Sequence, residues 1–322
     1  MQSKALFALA TTIVAASAKN ILLTNDDGWA ATNIRALYRD LKAAGHDVIM
    51  VAPAEQRSGY GGKFQLDSSN TLQYDTLFSY PPAGSPSWGH EEDDLNVWYY
   101  NGTPAACVAV GLDYIIPTYF NNISVDLVVG GPNEGNNLGE RDFVLSGTEG
   151  ATFYAVERGY PAIAFSGANS NNSFFKDNLD TDPNHAPNIY SKKSVELIQA
   201  LFEKQGDNPR ALPLATGLNV NFPVAGSDLE SDCLDPPYYQ SRFTGSDYVP
   251  YAIAYNESTG LVDWANAETG TLDVAAAGDS SLPAEFNVVN GCASSITVFT
   301  LDPDAQKSAV DQIIGNFQSL LA

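Results

Sequence analysis

Basic residues are scarce in this chain of 322 residues: 16 Lys and Arg stand against 38 Asp and Glu, a formal charge of −22. That balance argues against a nucleic-acid polymer as the main partner, because such binding rests on Lys and Arg neutralising phosphates. Small phosphorylated substrates remain admissible where a local cation screens them. Histidine is scarcer still. His46, His90 and His185 are the only three, and none sits in a cluster or beside an Arg motif. With Cys-x-x-Cys also absent, a structural zinc site and a histidine-phosphatase site are both disfavoured. Gly59, Gly61 and Gly62 lack G-x-G-x-x-G spacing, which removes a dinucleotide loop. The first acidic pair is adjacent rather than Asp-x-Asp, which removes haloacid-dehalogenase chemistry. There is no internal repeat and no low-complexity tract.

Long apolar runs are missing too, apart from residues 5–16. That run is too short for a membrane span of about 20 residues. Lys4 precedes it and Ala16-Ser17-Ala18 follows, so residues 1–18 read as a secretory signal. The expected destination is extracellular, or a vacuolar or other secretory-pathway compartment, with no membrane partner. Cysteine is sparse and odd in number. In an oxidising compartment Cys233–Cys292 is the expected bridge, with Cys107 a buried thiol in a predicted helix. Asn122-Ile-Ser, Asn171-Asn-Ser and Asn256-Glu-Ser fit a glycoprotein. Asn101-Gly-Thr, followed by Pro104, is expected in the interior and unused.

What is present is a strand–helix rhythm. Apolar residues make up 44% of the chain, enough for a sizeable core. Ile21, Leu22 and Leu23 form an unbroken apolar run, the mark of a parallel strand covered on both faces. Ile34, Leu37, Tyr38 and Leu41 keep helical spacing up to a stop at Gly45. Residues 48–51 form a second strand closed by Pro53, which completes a βαβ unit. Residues 67–94 turn polar, aromatic and Pro/Gly-rich. They read as part of an insertion, about 64–98 in all, with room for a hairpin, over one edge of the domain. Thr103-Pro104 opens a helix. Residues 125–129 form a third strand running into a Gly/Asn-rich loop at 130–139. Ser146-Gly147-Thr148 opens the next helix. Strands follow at 162–165 and 217–222, with a helix over 190–202 between them. Residues 225–283 suggest hairpins, 295–300 a strand, and 310–321 an amphipathic terminal helix. That helix packs on its own core or on another subunit. The expected organisation is a signal over 1–18, an α/β core over 19–225, and an extension of the same domain over 226–322.

The candidate site grows from Asp26 and Asp27, just past the first strand. In open α/β sheets the carboxyl edge is where ligands bind. Asn-Asp-Asp-Gly is also good turn chemistry. Two adjacent carboxylates repel each other there and invite a cation. Ser58 follows the second strand, Asn133, Asn136 and Asn137 follow the third, and Ser146-Gly147-Thr148 starts a helix. In a doubly wound sheet all of these meet on one edge. Two carboxylates, a hydroxyl and an amide carbonyl make an all-oxygen set suited to Mg²⁺, Mn²⁺ or Ca²⁺. The N–H groups opening the Thr148 helix suit an anion, phosphate above all.

Five motifs in order carry a resemblance: ILLTNDDGW, APAEQRSG, NGTPAACVAVGL, GGPNEGNNLGERDFVLSGTEGA and LNVNFP. The chain resembles the SurE family of metal-dependent nucleotidases and phosphatases, in its eukaryotic acid-phosphatase-like branch. The likeness spans residues 20–223 and continues more loosely through NGCASSITVFTLDP. It implies a Rossmann-like, mostly parallel α/β fold. It also implies hydrolysis of nucleoside monophosphates and other phosphate monoesters with one divalent ion, usually Mn²⁺ or Mg²⁺. The implied metal ligands are Asp26, Asp27, Ser58 and Asn133. The implied phosphate contacts are Ser146, Gly147 and Thr148, with Asn137 in the same loop. Homodimers or homotetramers that exchange C-terminal elements are implied as well. The expected chemistry is metal-assisted transfer of the phosphoryl group to water, with Asp26 or Asp27 accepting the proton. Two departures stand out: Gly130-Gly131-Pro132 where the family has Ser-Gly before the ligand Asn, and Glu149 where it has an apolar residue. They leave a non-catalytic secreted binding protein as the rival reading.

Overall fold

The computed structural model describes residues 18–243, 252–265, 279–302, 310, 311 and 313. Strand β1 (Asn20–Thr24) leads to helix α1 (Thr32–Ala43) and strand β2 (Asp47–Pro53). Strands β3 (Trp88–His90) and β4 (Val97–Tyr100) follow, then α2 (Pro104–Val110), which winds on through a wider turn to α3 (Ile116–Tyr119). Next come β5 (Leu127–Glu134), α4 (Gly139–Leu145), α5 (Gly147–Glu157) and β6 (Ala162–Gly167). Helices α6 (Phe175–Asn178) and α7 (Ala186–Gln205) precede β7 (Thr216–Asn221) and β8 (Tyr238–Ser241). The chain closes with the β9 (Ala252–Asn256) and β10 (Leu261–Ala265) ribbon, α8 (Glu285–Val289) and β11 (Ser294–Thr300).

The main sheet runs β3-β4-β2-β1-β5-β6-β7-β11-β8. Strands β4, β2, β1, β5, β6 and β7 are parallel; β3 runs against β4 and β11 against β7, while β8 lies parallel to β11. It is thus the mostly parallel, doubly wound sheet expected, and β8 and β11 from the 226–322 segment belong to it. The period-2 rule explains the unbroken apolar run of β1. Ile21 and Leu23 enter the core layer with Ile34, Leu37 and Leu41 of α1 and Ile189 and Ile198 of α7. Leu22 points the other way, to Ala106, Val108 and Ala151 of α2 and α5.

The insertion supplies β3, the edge strand of the sheet. It is fastened to the core by Trp29, whose indole N–H donates to the Tyr80 carbonyl (2.8 Å) while the two rings stack at 4.8 Å. Arg35 meets Glu91 at 2.7 Å on the same side.

Local departures from the expected pattern have physical causes. Strand β5 does not stop at Val129 but continues to Glu134, because its backbone pairs with β6 again after a register shift between Gly130 and Asn133. Gly131, at φ +96°, makes that shift possible; a Cβ there would collide with the Phe165 carbonyl. Strand β4 was hidden in the polar insertion. Thr103 precedes α2 with extended backbone, but its hydroxyl accepts the Gln65 N–H (3.0 Å) and does not cap the helix. Cys233 and Cys292 are bonded, and Cys107 is a buried free thiol. The leader and almost all of the predicted terminal helix lie outside the described residues. Among the described residues, no helix is long and apolar enough to cross a membrane.

Candidate functional site

Chain order builds the site before any side chain is considered. Strands β2 and β4 are added on one side of β1, and the chain then returns to lay β5 on its other side. Connections from β1 and β5 therefore diverge at their carboxyl ends, the switch point where open α/β sheets hold ligands. Asp26 and Asp27 follow β1 there, and Asn133 ends β5 beside them.

Asp26 and Asp27 are both buried. The Asp26 carboxylate accepts the Thr148 hydroxyl on Oδ1 (2.7 Å) and the Gly147 N–H on Oδ2 (3.0 Å). Thr148 Oγ1 also lies 3.4 Å from Asn133 Oδ1, so one hydroxyl joins the acid to the amide. Gly147 is required for this approach, since a Cβ would stand 2.8 Å from that of Asp26. Ser146 caps α5 by accepting the Glu149 N–H (3.3 Å). The expectation that Gly147 and Thr148 N–H groups meet an anion directly is altered: the start of α5 holds Asp26.

Asp27 turns aside. Its Oδ2 accepts the Glu134 N–H (2.8 Å), and its carbonyl accepts Asn172 Nδ2 (3.1 Å). Burial raises both acids, Asp26 against the pull of its donors. Asp27 stands well above the carboxylate range through burial and then the charges of Asp26 and Glu134. Among the described residues no Lys, Arg or His pairs with either one. Two desolvated acids, an amide oxygen and a nearby hydroxyl lacking a cationic partner fit a hard divalent ion. Among the described residues no group of three or more His, Cys, Asp or Glu has metal-site geometry.

An open cleft of about 330 Å³ lies over Asp26. It is lined by Ser58, Asn133, Asn137 and Ser146, with Asn136, Arg141 and Asp142. The fold thus gathers Asp26, Ser58, Asn133, Asn137 and Ser146 in one place, with Gly147 and Thr148 behind Asp26; Asp27 does not line the cleft. Ser58 is exposed. Asn137 is pinned: its N–H donates to Asn221 Oδ1 (2.8 Å), its Nδ2 to Ser166 Oγ (2.8 Å), and its carbonyl accepts from Asn219 and Asn221.

Sequence reasoning missed several of these groups. Glu134 follows Asn133, and burial pushes it up to about 8. Arg141 lies on the cleft wall in an ion pair with Asp142 (3.0 Å). Asn219 and Asn221, two apart on an otherwise apolar strand, share one face and could have been read as pointing at a common target. Glu149 is the largest surprise. Ser146-x-x-Glu149 has the spacing of a capping box, yet neither Glu149 oxygen has a partner and the Ser146 N–H goes to the Asp142 carbonyl. Glu149 is fully buried away from the cleft. Burial, with the charges of Glu285, Asp26 and Asp142, holds it well above the carboxylate range.

Comparison with known proteins agrees with this architecture. The family profile described as "Survival protein SurE" matches residues 21–238. An acid phosphatase of Yarrowia lipolytica is 43% identical over 292 residues, covering 90% of this chain and 81% of that protein. A 5'-nucleotidase SurE of Chlamydia felis is 33% identical over 211 residues, 65% of this chain and 64% of that protein. In that case the match takes in less than two thirds of the relative's length. The crystal structure of the SurE protein from Aquifex aeolicus superposes with a TM-score of 0.62 at 24% identity, covering 93% of this chain and 99% of that one. It shows the shared fold. Because the profile match runs from Ile21 in β1 to Tyr238 at the start of β8, and so takes in every strand on which the site is built, the chain belongs to the SurE family.

Proposed function

We propose that the protein is a metal-dependent phosphomonoesterase acting on nucleoside monophosphates and related monoesters, working in the secretory pathway or outside the cell. The observation that carries this reading is the convergence of Asp26 and Asn133 on the Thr148 hydroxyl at the sheet's switch point, beneath an open polar cleft. The names of the Yarrowia and Chlamydia relatives, acid phosphatase and 5'-nucleotidase, support it.

Asp26, Asp27, Asn133 and Ser58 are the residues that would hold the ion, with Mg²⁺ and Mn²⁺ the first candidates and Ca²⁺ the third. A divalent ion there supplies Lewis-acid polarisation of the phosphoryl group and charge neutralisation. The chain does the rest. Ser58, Ser146 and the Asn137 amide orient the phosphate. Water attacks phosphorus in line with the leaving oxygen; the carboxylate of Asp26 or Asp27 takes its proton, the ester P–O bond breaks, and the leaving oxygen departs as the alcohol with a proton from solvent.

Secretion is supported by the sequence of residues 1–18 and by the Cys233–Cys292 bridge, which suits an oxidising compartment. Asn122, Asn171 and Asn256 are exposed, whereas Asn101 is engaged with Arg57 and Asp67. An assembly of two or four copies through C-terminal elements belongs to the same reading. The β9–β10 ribbon supports it, exposing Ile253, Tyr255, Leu261 and Val262.

The test is phosphate release from p-nitrophenyl phosphate and nucleoside monophosphates between pH 4 and 8. It is run with EDTA and then with Mg²⁺, Mn²⁺ or Ca²⁺ restored. The expected result is turnover abolished by EDTA and recovered with at least one ion. Turnover indifferent to EDTA overturns the metal, and no turnover under any condition overturns the activity.

A further inference from the structure

The family match ends at Tyr238, yet the loop behind the cleft is held from beyond that point. Glu285 is the first residue of α8, and its side chain is fully buried. The segment is anchored twice. Glu285 N–H donates to the Arg242 carbonyl (3.1 Å), and the Cys233–Cys292 bridge ties the chain just after α8 to the segment following β7.

From this anchorage the carboxylate reaches the sheet's carboxyl edge. Oε2 accepts the N–H of Gly139 (2.8 Å), the residue that ends the Asn-rich loop and starts α4. Oε1 accepts Nδ2 of Asn219 (3.0 Å). The same Asn219 nitrogen donates to the carbonyl of Asn137 (3.0 Å), on the cleft wall. A chain of hydrogen bonds thus runs from the C-terminal segment to the cleft. The Gly139 and Asn219 contacts are both donors aimed at the carboxyl oxygens of Glu285, and the Thr297 hydroxyl bonds the same group. A Gln amide of the same shape would turn its NH₂ against one of them, leaving a buried donor unmatched.

We propose that Glu285 is a positioning residue: through Gly139 and Asn219 it fixes the 133–139 loop so that Asn137 is presented to the substrate phosphate. The segment after residue 238 is then part of the functional site and not merely an appendage to it. This inference rests on the reading of the cleft as a phosphate site.

The test compares the metal-loaded wild type with Glu285→Gln, Asn219→Ser and the double variant. KM and kcat are measured on p-nitrophenyl phosphate, inorganic phosphate binding by calorimetry, and melting temperature alongside. Glu285→Gln is expected to raise KM and the phosphate Kd by about tenfold while kcat stays within about threefold, the size of one buried hydrogen bond. Asn219→Ser should move the same quantities in the same direction. The double variant should be no worse than the stronger single one, because both cut the same chain of contacts. Should Glu285→Gln fail to fold, Asn219→Ser carries the same expectation. An active wild type with KM and phosphate affinity unmoved in the variants overturns the role of Glu285 alone. So does a fall in kcat at constant KM, or a fall in melting temperature with no kinetic change. A wild type that neither binds phosphate nor turns over monoesters overturns the phosphate site and this inference with it.

Discussion

At the scale of single residues, Asp26 is caught between two opposing influences. Burial disfavours its charge, while the Thr148 hydroxyl and the Gly147 N–H favour it. Asp27 has a single backbone donor and two acidic neighbours, so it is the more strongly raised of the pair. This asymmetry assigns the anionic anchor to Asp26. Asp26→Asn should therefore lower kcat/KM by at least about a thousandfold, the scale of losing a group needed in the transition state. The folded protein should survive, since Asn keeps the volume and its amide oxygen still accepts the Thr148 hydroxyl. Circular dichroism with a melting curve checks the fold, and phosphate release checks the loss; near-normal turnover in a folded variant would sink the assignment. Asp26 and Asp27 were legible because two acids end an apolar run at a strand's carboxyl end. Glu134, Glu149 and Glu285 were not. A glutamate in a helix or loop reads as solvated, and only tertiary packing buries it.

At the scale of elements, periodicity located β1, α1, β2, α5, β6 and β7, because each alternates or repeats against a covered face. It did not locate β4, whose Val97-Trp98-Tyr99-Tyr100 run lies at the end of a polar insertion. Nor did it extend β5 through Gly130-Gly131-Pro132-Asn133. Glycine and proline there look like loop chemistry, but the backbone resumes pairing with β6 after the shift. That irregular stretch is what swings Asn133 over Asp26. Gly131→Ala should therefore be costly twice over. The φ of +96° strains any L residue, and the new methyl meets the Phe165 carbonyl. A loss of more than about 1 kcal/mol is expected, together with a fall in metal affinity as Asn133 moves. Thermal melting with and without the ion reads both; an unchanged melting temperature and an unchanged ion-induced shift would show that the bulge tolerates a side chain.

For the whole molecule, a high density of buried acid sets the dependence of stability on pH. Burial pushes Glu134 and Glu285 up to about 8 and holds Asp27 and Glu149 well above the carboxylate range. In the unfolded chain the same groups titrate near their ordinary values, 4.5 for the glutamates. The native state thus binds more protons than the unfolded one between about pH 4.5 and 8. Stability from these groups is fully present below that window and is lost as pH rises through it, by at most about 1.4 kcal/mol per pH unit for each group. The metal-free protein should have a higher melting temperature at pH 5 than at pH 8. A divalent ion should narrow the gap by stabilising the charged forms of Asp26 and Asp27. Glu149→Gln isolates the share of one acid that does not line the cleft. The variant keeps the volume, cannot ionise, and adds no charge beside Glu285, so its melting temperature should fall less steeply across the window. Melting curves of the metal-free wild type and variant at half-unit pH steps from 4.5 to 8 decide the matter. Parallel curves would mean that Glu149 titrates normally and that its burial has been relieved by another route.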